Sequence, residues 1–191
     1  MNLTEYLSHH PKKHLIFDFD RTLATLVIDW PTMLEKMFQP LLRLDHGLVY
    51  PLTPDTLSYP LFNTLIRKHG HPAKKIIESY FQKAEAEDLK GVKPNRELIN
   101  FVKNHDEYDY YIWSNNFRAT ILKVLDEEKL RNRFKIIVAA DDNLFYKPDA
   151  TGMEKIAIGD KKDWLMIGDS GNDRLGASAL GIDFYKVDGI S

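Results

Sequence analysis

Leu15-Ile16-Phe17-Asp18-Phe19-Asp20-Arg21-Thr22-Leu23 decides how the rest of the chain is read. Three apolar residues open it, a run of the kind that fills the middle of a parallel sheet. Charge then arrives abruptly, at Asp18 and Asp20. Residues two apart on an extended chain point to the same side, so two acids meet at the end of a core strand. Such a pair is costly unless a cation or a shared proton relieves it.

Three further stretches have the same form. Tyr110-Tyr111-Ile112-Trp113 runs into Ser114-Asn115-Asn116. Phe145-Tyr146-Lys147-Pro148-Asp149 puts a lysine ahead of an expected helix marked by Met153, Ile156 and Ala157. Trp164 to Gly168 runs into Asp169-Ser170-Gly171-Asn172-Asp173. Open parallel sheets bind ligands outside the carboxyl ends of their strands, so these stretches are expected to meet at one crevice.

Taken in order, Asp18-Phe-Asp20-Arg-Thr22, Ser114-Asn115, Lys147-Pro148 and Gly168-Asp169-Ser170-Gly-Asn-Asp173 resemble the four motifs of the haloacid dehalogenase superfamily, in its phosphoglycolate phosphatase-like form. The resemblance implies a magnesium-dependent phosphatase acting on a small phosphorylated metabolite through an aspartyl phosphate. It implies a doubly wound parallel α/β sheet, Rossmann-like, with the Asp18 strand central. Asp18 is then the nucleophile and Asp20 the general acid and base. Ser114, Asn115, Thr22 and Lys147 hold the phosphoryl group. Asp18, Asp20 (through its backbone carbonyl), Asp169 and Asp173 hold the Mg2+. A phosphosugar mutase uses the same core residues and is the alternative. A catalytically silent binding protein is disfavoured, because none of Asp18, Asp20, Lys147 and Asp169 is lost.

The chain departs from the family's pattern in two places. Arg21 stands where glycine is usual, so the turn is expected to avoid the backbone conformations that favour glycine. Its guanidinium either reaches an anionic substrate group or points into solvent. Thr25-Leu26 stands where many capped members have Asp-Ser, which withholds a specific substrate.

Between Leu23 and Pro94 the period changes. Asp29 is placed to cap a helix with Pro31 in its first turn, and Leu34, Met37, Phe38, Leu41 and Leu42 recur at helical spacing. Leu57 to Ile66, ending near Gly70, and Ile76 to Phe81, opened by Pro72, give two more helices. Residues 26–91 are therefore expected to be a small all-helical cap, inserted into an α/β core of residues 1–25 and 92–191. In that core strands and helices alternate, as a parallel sheet covered on both faces requires.

With 191 residues, 43% of them hydrophobic, the chain can build one good core and a small accessory unit. A net charge of −2 gives no electrostatic case for nucleic acid or an anionic membrane. There is no cysteine, hence no disulfide or thiol chemistry. Without a signal-peptide pattern or a long apolar run, a cytoplasmic protein is expected. Oligomeric state is not legible. Residues before Lys12, with His9 and His10, read as a polar lead-in, and His69 and His71 as a surface turn; neither group has ligand spacing.

Overall fold

The structure, a computed structural model, describes residues 2–189. Along the chain run α1 (Leu3–His9), β1 (His14–Phe17), β2 (Ala24–Leu26), α2 (Trp30–Leu44), α3 (His46–Val49), α4 (Tyr59–His69) and α5 (His71–Glu87). Then follow β3 (Val92–Pro94), α6 (Arg96–Asn104), β4 (Asp109–Trp113), α7 (Arg118–Glu127), β5 (Phe134–Val138), β6 (Trp164–Gly168), α8 (Gly171–Leu180) and β7 (Asp183–Lys186).

The sheet is five-stranded and parallel, in the order β5-β4-β1-β6-β7, with β1 central as expected. Alternation along its strands builds two cores. Leu15 and Phe17 point with Tyr110, Ile112, Leu165 and Ile167 into the face covered by α1, α6 and α7. Ile16, Tyr111, Trp113 and Met166 point to the other face, where α8 packs. Burial on both sides is why these strands read as continuous apolar runs.

A short antiparallel pair, β2 with β3, brings the two ends of the 26–91 stretch together through Ala24↔Pro94 and Leu26↔Val92. The helices α2 to α5 stand between them. Asp29 Oδ1 accepts from the Thr32 amide at 3.2 Å, the expected N-cap. Their apolar faces, among them Met37, Leu41, Leu65, Ile77 and Phe81, share one core with Phe117, Ala140 and Tyr146 from the α/β part.

Three expectations fail. The stretch before Lys12 is not a bare lead-in: α1 buries Leu3 and Leu7, and Asn2 caps it through the Glu5 amide. Two apolar residues four apart were too weak a signal inside a polar stretch. The helix expected after Lys147 is a series of turns. Asp149 Oδ1 draws the Thr151 amide into a local bond at 3.1 Å, and the bonds to the Ala150 and Met153 carbonyls close separate turns, so Met153 and Ala157 reach the core without a regular helix. Arg21 adopts φ +63°, in the left-handed region it was expected to avoid.

Candidate active site

The turn after β1 explains Arg21. The Phe19 carbonyl accepts from the amides of Thr22, Leu23 and Ala24 at 3.0 to 3.2 Å, and the Arg21 amide donates to the Ala24 carbonyl at 2.7 Å. The closed ring of backbone bonds offsets the roughly 1–2 kcal/mol that a left-handed residue costs. The same turn gives Asp20 its environment. Asp20 Oδ1 accepts from the Leu26 amide at 2.8 Å. Burial, with help from the charge of Asp169 and against that bond, pushes the carboxyl up to about 6.

Asp18, Lys147 and Asp173 meet at the carboxyl end of the sheet. Lys147 Nζ donates to Asp18 Oδ1 and, at 2.5 Å, to Asp173 Oδ1. All three are buried. Thr22 Oγ1 donates to Asp18 Oδ2 at 3.2 Å. Burial and the Asp173 charge push Asp18 upward, against the pull of Lys147. Burial would lower Lys147, but Asp173 and Asp18 outweigh it and hold the ammonium charged. Asp173 Oδ2 in turn accepts from the Ser170 amide at 3.0 Å and hydroxyl at 2.6 Å, closing a capping box at the start of α8. Gly168 makes this close approach possible: a Cβ there would lie 2.6 Å from the Asp173 carboxyl carbon. Asp169, at the end of β6, faces the Arg21 guanidinium at 3.4 Å. So Arg21, with a side chain 62% exposed, meets an acid of the site.

Ser114 and Asn115 follow β4; Ser114 bonds within its own loop, and Asn115 reaches across to the Lys147 loop. Ser114 Oγ donates to Asn116 Oδ1 at 2.8 Å and accepts from the Asn116 amide at 3.1 Å. The Asn115 side chain grips the Lys147 backbone: its Oδ1 accepts from the Lys147 amide at 2.7 Å and its Nδ2 donates to the Lys147 carbonyl at 3.3 Å.

The helices complete the site with residues that sequence reasoning missed. Asn63 of α4 holds the Tyr146 backbone by two bonds, at 2.8 and 2.9 Å, and Arg67 pairs with Asp149 at 2.6 Å. Lys147 is thus clamped from both sides. Glu85 of α5 accepts from Asn116 Nδ2 at 2.9 Å and from the Phe117 amide at 3.1 Å. A signal existed: Asn63 and Glu85 fall on the buried faces of their helices, among apolar residues such as Phe62 and Ile66 or Phe81 and Ala84. Glu85→Ala should therefore strip Asn116 Nδ2, the Phe117 amide and the Thr120 hydroxyl of their acceptor and cost about 2–4 kcal/mol, read as a lower denaturant midpoint. Burial raises the Glu85 carboxyl to about 7 against the bonds from Thr120, Asn116 and Phe117. Its contribution is then full below the ordinary value of 4.5 and is lost as pH rises through 7. The penalty should be larger at pH 5 than at pH 8; a penalty that grows with pH would refute this account.

Between the sheet end and the helices lies a cavity of about 300 Å³. Asp18, Asp20, Lys147 and Asp169 line its floor, and residues of α2, α4 and α5 its opposite wall. The Tyr59 hydroxyl, raised far above its ordinary range by burial and then by Glu85, Asp20, Asp18 and Asp173, stays neutral.

The floor suits a divalent cation. One carboxylate oxygen from each of Asp18, Asp169 and Asp173 lies within 4.8 Å of the others, the one such acidic group among the described residues. All donors are oxygens, as magnesium prefers, and Asp18, pushed upward first by burial and then by the Asp173 charge, is an acid that a nearby cation would hold ionised.

The sequence profile of the haloacid dehalogenase-like hydrolases matches residues 15–187. No curated protein matches significantly. Solved structures share the fold. One is a provisionally assigned haloacid dehalogenase-like hydrolase from Bacteroides fragilis, 22% identical, with a TM-score of 0.64 over 94% of this chain and 90% of that one. A second is the HAD-hydrolase YfnB from Bacillus subtilis bound to magnesium, likewise a provisional assignment, 21% identical, with a TM-score of 0.52 over 93% and 87%. A third is a predicted phosphoglycolate phosphatase from Haemophilus somnus, 15% identical, with a TM-score of 0.55 over 93% and 86%. A profile that spans the chain from the first core strand to just beyond the last, on a parallel sheet that gathers Asp18, Lys147, Asp169 and Asp173 at one end, places the chain among the haloacid dehalogenase-like hydrolases.

Proposed function

We infer that the protein is a magnesium-dependent phosphatase that hydrolyses a small phosphorylated metabolite. The observation that carries this reading is the convergence of Asp18, Asp20, Lys147 and Asp169 on one cavity from separate segments of the chain. Residues 26–91 serve as a cap over a core of residues 1–25 and 92–191.

The Asp18 carboxylate attacks phosphorus while the bond to the leaving oxygen breaks. Asp20, raised to about 6 and so partly protonated near neutrality, gives its proton to that oxygen. In the second step Asp20 takes a proton from water, the water oxygen attacks phosphorus, and the Asp18–phosphorus bond breaks to release phosphate. Lys147 neutralises charge on the transferring group, with Thr22, Ser114 and the Asn115 amide beside it. Asp173 is a positioning residue that orients Lys147. Mg2+ would be held by Asp18, Asp169, Asp173 and the Asp20 carbonyl, and when bound it supplies charge stabilisation to the phosphoryl oxygens.

Chelation should abolish phosphate release from a panel of phosphomonoesters, and added magnesium should restore it. Full activity in excess chelator would remove metal from the account. No helix among the described residues is long and apolar enough to cross a membrane.

A further inference from the structure

We propose that the substrate's leaving group is a compact apolar or aromatic alcohol, selected by an aromatic wall that α2, α4 and α5 set opposite the acidic floor. This rests on the phosphatase reading above and goes beyond it by naming the substrate class. Trp30 and Leu34 of α2, Tyr59 and Phe62 of α4, and Phe81 of α5 all line the cavity. The rings pack on one another: Phe81 lies 6.0 Å from Trp30, 5.7 Å from Tyr59 and 5.8 Å from Phe62 between centroids. Such a surface offers dispersion and ring–ring contacts to an apolar group and few bonds to a polar one.

What the lining lacks is as informative. Among the described residues, its charged members are Asp18, Asp20, Arg21, Lys147 and Asp169, none of them on these helices. Its two cations belong to the floor: Lys147 is held by Asp18 and Asp173, and Arg21 faces Asp169 at 3.4 Å. Asn115 and Asn116 are committed to Lys147, Ser114 and Glu85. The hydroxyls of Ser58 and Tyr59 and the indole N–H of Trp30 are what the wall side offers for hydrogen bonding; Ser170, bonded to Asp173, and Asn172 lie at the start of α8 on the floor side. A leaving group bearing a carboxylate, or the several hydroxyls of a sugar, would be desolvated against rings with too few partners. About 300 Å³ accommodates a phosphoryl group and one ring, at the small end of ligand cavities.

Benzylphosphonate and phosphonoacetate carry the same non-hydrolysable head on an aromatic and an anionic tail. Titrated calorimetrically into the whole protein with magnesium, benzylphosphonate should bind about tenfold more tightly or better. Equal affinity, or tighter phosphonoacetate, overturns the proposal. Leu34→Lys, at a partly exposed position of α2, sets a cation in the wall and should shrink that ratio about tenfold; an unchanged ratio in the folded variant also overturns it. Hydrolysis of acetyl phosphate is scored separately, because it needs only the floor. Aromatic-selective binding without that hydrolysis refutes the phosphatase and leaves the pocket assignment standing. Hydrolysis without the selectivity does the reverse.

Discussion

Asp18→Asn is expected to lose turnover by a factor on the order of 10⁶, the scale on which removal of a nucleophile acts when the remaining groups cannot replace it. Asparagine keeps the shape of the side chain and removes the attacking charge. The fold should survive. Asp18 sits buried beside Asp173 and is pushed toward protonation by both facts, so a neutral amide is well tolerated there, and Lys147 keeps Asp173 as its partner. The melting temperature is therefore the control, and it should not fall far. The acid-stable, base-labile phosphoenzyme that wild-type protein forms on rapid acid quench should be absent. Near-normal turnover in the variant would mean that water attacks directly and that Asp18 only binds metal.

Asp20→Asn should separate substrates by their leaving groups. A sugar or alkyl phosphate has a poor leaving group, and its departing oxygen needs a proton. para-Nitrophenyl phosphate leaves as a stabilised phenolate and needs little help. The variant removes the acid but keeps the backbone carbonyl, and the side-chain oxygen of the introduced asparagine can still accept from the Leu26 amide. Phosphorylation of Asp18 should thus slow roughly a hundred- to ten-thousand-fold more for an alkyl phosphate than for the nitrophenyl ester. The second step also loses its base, so the aspartyl phosphate accumulates with the activated substrate. The signature is a burst of nitrophenolate of about one equivalent per site, followed by slow turnover. Equal slowing on both substrates without a burst would leave Asp20 with a structural role alone. A carboxyl near 6 is suited to both duties, since it is neither fully ionised nor fully protonated close to neutral pH.

The sheet was legible because a buried parallel strand has to be apolar on both faces. Leu15-Ile16-Phe17, Tyr111-Ile112-Trp113 and Leu165-Met166-Ile167 each announce themselves, and the polar residues that end each run mark the carboxyl edge. The helices of residues 26–91 were equally readable from their 3.6-residue period and from Asp29 as a cap. What misled was local competition. Arg21 looked incompatible with a glycine-like turn until the bonds from the Phe19 carbonyl showed how the ring closes. Met153, Ile156 and Ala157 have helical spacing, but Asp149 draws the backbone into a local bond first and the turns that follow do not join into a helix.

By itself, then, the sequence determined the core strands, the long helices and which acids follow the ends of those strands, because periodicity and abrupt polarity are properties of neighbouring residues. The tertiary structure alone decided the contacts between residues far apart in the chain. Asn63 on the Tyr146 backbone spans 83 positions and Glu85 on Asn116 spans 31. Lys147 reaches Asp18 across 129 positions and Asp173 across 26. The wall of Trp30, Phe62 and Phe81 likewise exists only once α2, α4 and α5 pack over the end of β1. Each of those side chains reads in sequence as an ordinary core or helix residue, because hydrophobicity and charge say that a group will be buried or paired, whereas its partner is fixed by the packing of whole elements.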